Sequence, residues 1–271
     1  MATTYIGTPS YTTSITIPVD GELAAASTVN NPAKSSVDMD YFLLQSMGLL
    51  TQGAPITLSS SNGTSITVSS IPLAIVSESG VYKAISTASA VSLTNANLEI
   101  AGAFTPNTWY FIYVYSVAGV ANFQLSKTPP SQYNVFKQGS DTHRYLGSFR
   151  VNASGFIIKF FASRGQYVYM DVATQLSNAN DITESPLSLN SAVPVTSRLI
   201  DTHLTIANSV GVDGYVRLST FFGGSFTQFT AYGNRTNDFS FSMATGFTQT
   251  INYYVGAATT SLSINVLGYR E

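Results

Sequence analysis

The sequence predicts a mainly β protein: a short N-terminal arm and helix followed by two antiparallel β-sandwich-like domains. Three observations predict it. Turn signals recur at intervals of roughly ten residues through the last third of the chain, each bounding a short apolar run, as in a sandwich. A strand of high aromatic density, Thr108-Trp109-Tyr110-Phe111-Ile112-Tyr113-Val114-Tyr115, is apolar on both faces and needs cover on both. One stretch alone carries convincing helical spacing, with Val37, Tyr41 and Leu44 at i, i+4 and i+7.

Taken in order, residues 1–21 read as an arm. Ser14-Ile15-Thr16-Ile17-Pro18-Val19 alternates and runs into the turn pair Asp20-Gly21. One strand with little else apolar cannot hold itself together, so the arm should pair with something else. Asn30 or Asn31 caps the helix that follows, and Pro32 sits near its first position, where a missing N–H is harmless. Its stripe is too short for a free-standing coiled coil. Residues 1–53 therefore read as a docking segment, with Val37, Tyr41 and Leu44 as candidate docking and trimer-interface residues.

Residues 54–171 read as a central β-domain. Short strands near 56–58, 65–68, 73–76, 82–85 and 98–100 alternate with Ser- and Gly-rich turns, and Asn62-Gly63 marks a tight hairpin. In the aromatic strand, Trp109, Phe111, Tyr113 and Tyr115 share one face and Tyr110, Ile112 and Val114 the other. Ser126-Lys127-Thr128-Pro129-Pro130 interrupts the sheet, because proline has no donor. Strands at 145–151 and 156–161 flank the turn Asn152-Ala153-Ser154-Gly155. Residues 172–185 are polar and aperiodic and read as a linker. The second sandwich is expected over 186–271.

Composition narrows the function. Only 10% of the 271 residues are charged, against an average of about 25%, and the net charge is −2. No basic footprint for nucleic acid exists. A weakly charged surface suits a protein covered by copies of itself or by other subunits, or one that must approach an anionic or glycan-coated target. There is no cysteine, hence no disulfide framework and no thiolate metal site. No apolar run is long enough for a transmembrane helix, so membrane insertion is not expected. The N-terminus does not read as a secretory signal.

The segments 108–113, 126–130, Arg144-Tyr145-Leu146-Gly147-Ser148-Phe149 and Asn152-Ala153-Ser154-Gly155 resemble a pattern in tail-fibre and related virion proteins of tailed bacteriophages. Ile17-Pro18-Val19-Asp20-Gly21, Ala25, Val29-Asn30 and Tyr41, Leu43 and Leu44 are similar to the start of such proteins, and the closing Leu267-Gly268-Tyr269 is similar too. The resemblance covers roughly residues 15–50 and 104–169. It implies a structural protein on the exterior of a phage particle, trimeric, joined to other virion proteins by its N-terminal region. A short chain without a long shaft favours a short fibre or spike whose C-terminal domain attaches to a host-surface glycan or protein. A capsid decoration or head–tail connector is the alternative. A polysaccharide depolymerase is a third reading, which the sequence favours least.

Residue chemistry points away from an enzyme. The two histidines, His143 and His203, have Asp141 and Asp201 nearby but no Gly-x-Ser-x-Gly nucleophile turn. They read as a loop and a strand-edge histidine. Asp38 and Asp40 diverge on a helix, and Asp181 and Glu184 lack the oxygen count of a Ca²⁺ site, so no metal or other cofactor is expected. Glycoside hydrolysis needs two carboxylates flanking a sugar, and 14 acidic residues offer few pairs. The dense C-terminal aromatics are first of all sandwich core. The exception is the loop 232–238, where Tyr232, Asn234, Arg235, Asn237 and Asp238 combine a ring, amides and charges suited to a glycan.

Overall fold

The computed structural model describes residues 56–72, 74–131, 135–220, 226–245, 248–257 and 259–271. The docking segment, with Val37, Tyr41 and Leu44, lies outside them. The described residues form a mainly β protein of several antiparallel sheets.

Local turn chemistry sets the first hairpins. β1 (Thr57–Ser60) and β2 (Ile66–Val68) pair across the Asn62-Gly63 turn. Gly63 takes φ +74°, and Asn62 Oδ1 accepts from the N–H groups of Thr64 and Ser65 at 3.0 and 3.1 Å. β3 (Ala74–Glu78) and β4 (Val81–Ile85) make a second hairpin, and β5 (Val91–Leu93) joins β2. The aromatic strand is β6 (Trp109–Val117), between β7 (Val120–Ser126) and β8 (Arg144–Arg150) in a three-stranded sheet. Tyr110, Phe111, Ile112, Tyr113 and Val114 are all buried, so both its faces are covered. Ala118 and Gly119, at φ +52° and +80°, turn β6 into β7. The Asn152 turn forms as well, with Asn152 Oδ1 accepting from Ser154 and Phe156 N–H at 2.9 and 3.0 Å.

β9 (Phe160–Ser163) and β10 (Gln166–Ala179) follow, joined by a turn through Arg164 and Gly165. β9 pairs β1 on one side and β10 on the other. The stretch read as a linker is therefore largely strand, since residues 172–179 belong to β10. Three register shifts along its pairing with the last strand break its alternation, which removed the periodic signal.

The remaining strands are β11 (Ser185–Ser188), β12 (Leu199–Asn208), β13 (Gly214–Ser219), β14 (Thr227–Ala231), β15 (Thr236–Ala244), β16 (Thr250–Val255) and β17 (Thr260–Arg270). One sheet runs β15-β12-β17-β10 and continues through β9-β1-β2-β5; the facing sheet runs β11-β16-β13-β14. From β10 to β17 the first strand pairs the last and the second pairs the second-to-last, which is the order of an eight-stranded jelly roll. The roll thus begins at β10, well before residue 186. Strict alternation along β12 buries Ile200, Leu204 and Ile206 against Val216, Leu218, Ile251 and Val255 of the opposite sheet.

Where the β6 sheet meets the roll, aromatic rings and one carboxylate pack together. Tyr167 and Tyr269 stack with centroids 4.3 Å apart. Trp109 meets Tyr269 edge-on at 5.8 Å and donates its Nε1–H to the Asn190 carbonyl at 2.8 Å. Glu271 Oε1 accepts from Tyr145 Oη, Ser148 Oγ and Thr196 Oγ1 at 2.7, 2.6 and 2.5 Å. Burial raises the Glu271 carboxyl above the ordinary range, and the hydroxyl donors oppose it only in part. A raised carboxyl binds its proton more tightly folded than unfolded. Its contribution is therefore fully present below about pH 4.5 and is lost as pH rises through the folded value. Glu271→Gln, which keeps the accepting oxygen, is expected to lessen that loss. Melting curves from about pH 4.5 to pH 8 check this; parallel wild-type and variant profiles would mean that Glu271 has the same pKa folded and unfolded.

Candidate binding surface

The far end of the roll gathers four connections. Val255 N–H donates to Asp181 O, Ser209 N–H to Thr259 O, Asn234 N–H to Val210 O and Asn208 N–H to Arg235 O, at 2.8–3.2 Å. The β6 sheet contacts the opposite end, through Asn190, Thr196 and Glu271. The loop 232–235 crosses from one sheet to the other at the tip. A Cβ on Gly233 would lie 2.5 Å from the carbonyl carbon of Gly211, so glycine lets two loops touch backbone to backbone. Asn234 adopts φ +54°, which asparagine tolerates better than most residues.

Of the five residues expected to form the binding loop, four are exposed: Tyr232, Asn234, Arg235 and Asp238. Tyr232 is 57% exposed, and Asn234 and Arg235 are exposed beside it. Asn237 instead closes the turn, its Oδ1 accepting from Tyr232 N–H at 3.3 Å. Asp238 lies within β15 on the outer sheet face, accepting from Thr205 Oγ1 at 2.8 Å, with His203 Nε2 at 3.7 Å. His203 is not at a strand edge, since β12 runs between β15 and β17. Asp201 pairs with Arg270 rather than with a histidine. His143 stacks on Tyr115 at 4.6 Å, and burial first, then Lys137, lowers its pKa. Among the described residues no group of three or more His, Asp or Glu is placed to hold a metal ion.

A second surface was not anticipated. On the outer face of the β11-β16-β13-β14 sheet, the Arg217 guanidinium lies 4.8 Å from the Tyr215 ring centroid and 4.2 Å from that of Phe226. Its Nε–H donates to Gln228 Oε1 at 3.1 Å. No described carboxylate forms an ion pair with it. Beside it opens a cleft of about 250 Å³ lined by Glu184, Ser219, Phe226, Asn252, Tyr253 and Tyr254. The aromatics read as core thus divide: Phe229 packs on Phe239 and Phe241 inside the roll, while Tyr215, Phe226 and Tyr254 contribute to the outer face. The alternation of Tyr215 and Arg217 in one strand was the available signal.

No family model matches the chain, and no curated protein sequence does. Among solved structures it is similar to a Cry1Da tryptic core variant from Bacillus thuringiensis (9% identity, 84% of this chain and 54% of that one, TM-score 0.24). It is also similar to an exo-β-1,3-galactanase from Phanerochaete chrysosporium with galactose (11% identity, 79% and 56%, TM-score 0.24). The chain spans just over half the length of these structures.

Proposed function

We propose that this chain is a structural component of a bacteriophage particle, a short trimeric fibre or spike. It docks onto other virion proteins by its N-terminal region, through Val37, Tyr41 and Leu44, and turns its C-terminal roll outward to attach to the host surface. The observation that supports attachment is the tip: Tyr232 and Arg235 stand exposed on loops braced by a rigid roll, at the end away from the β6 sheet. Each tip is a weak site, and three copies raise apparent affinity without new contacts.

Tyr232→Ala combined with Arg235→Ala is expected to lower binding of the purified trimer to host cells by about tenfold or more, with little change in melting temperature. Unchanged binding, or a matching loss of stability, would remove this loop from the attachment surface. A wild-type trimer that binds no host cells would favour a capsid decoration or head–tail connector.

A further inference from the structure

We propose that the outer-face cleft beside Arg217 binds a carboxylated sugar, with the guanidinium as the carboxylate anchor. This deepens the attachment reading, on which it rests for its biological setting. The chemistry is carried by the cleft itself.

Arg217 is held in place before any ligand arrives. The Tyr215 and Phe226 rings lie close to its guanidinium, and Gln228 engages the Nε–H, so the Nη groups are the part left to form a fork. A planar fork matches a carboxylate through two parallel hydrogen bonds. The second observation is Asn252. Its residue is only 6% exposed and lines the cleft. A side-chain amide carries both donor and acceptor, and sugar hydroxyls can engage each. Phe226, 51% exposed, offers an apolar face for the C–H side of a pyranose ring, with Tyr254 across the cleft. Ser219 Oγ donates to Glu184 Oε1 at 3.3 Å on the cleft wall. In this arrangement the ligand's carboxylate sits at Arg217.

The test is calorimetric titration of the full chain with a glucuronic-acid oligosaccharide and with its neutral glucose counterpart. The acidic sugar is expected to bind about tenfold or more tightly than the neutral one, and added salt should narrow the gap. Arg217→Ala should remove the preference. Arg217→Lys, which keeps the charge but loses the fork, should restore only part of it. Asn252→Ala should weaken both sugars alike. Equal affinity for the two sugars, no binding of either, or an Arg217→Ala protein that keeps the preference would overturn the proposal. If a variant fails to fold, the comparison of the two sugars on the wild-type chain still decides. Failure here with cell binding intact leaves the attachment reading standing. Selective sugar binding without cell binding supports the cleft and counts against attachment.

Discussion

Gly268→Ala is expected to destabilise the fold by about 3 kcal/mol or more, the largest effect of any single methyl group considered. A Cβ at this position would lie 2.0 Å from the Tyr167 carbonyl oxygen and 3.0 Å from its carbon. Those atoms are backbone and cannot rotate away. Gly268 sits where β17 shifts register against both neighbours, between Val168 and Ala173 of β10 and between Asp201 and Thr202 of β12. A strand pinned on both sides cannot relax without breaking a ladder. Gly119→Ala is the control. Gly119 has a left-handed backbone, at φ +80°, but lies in open space, and the change should cost only about 1 kcal/mol. Urea unfolding of the two variants makes the comparison. Equal losses would mean that the close approach at Gly268 is not a constraint.

Trp109→Ala should cost about 3 kcal/mol. The loss has three parts: the apolar area of the indole, its edge contact with Tyr269, and an Asn190 carbonyl left without its donor. Because Trp109 links the β6 sheet to the roll, the same variant should increase proteolysis at the seam. A change below about 1 kcal/mol would exclude the ring from the seam and make it a candidate contact surface.

What was legible in the sequence was local. The Asn62-Gly63 and Asn152 turns announce themselves through side chains that bond their own backbone. The two-faced burial of β6 follows from its composition alone. Pairing was not legible, because β10 and β17 meet across the whole length of the roll and nothing in either strand names its partner. The aperiodic stretch 172–179 looked like a linker because register shifts scramble alternation in β10. Of the candidate loop, Tyr232, Asn234, Arg235 and Asp238 are exposed. Asn237 turns back to accept from Tyr232 N–H, and Asp238 stays exposed but accepts from Thr205 Oγ1, bonds that depend on which strands lie beside them. The Arg217 cleft was missed for the same reason, since its lining comes from β13, β16 and residues preceding β11 and β14.

The central claim is that this chain is an outward-facing virion component, and electron cryomicroscopy of the purified particle tests it most directly. The expected map shows three copies about a common axis on the particle exterior, the N-terminal segments against other virion proteins and the tips carrying Tyr232 and Arg235 pointing away. Rolls packed tip-down on capsid subunits, or particles that do not contain the chain, would contradict it.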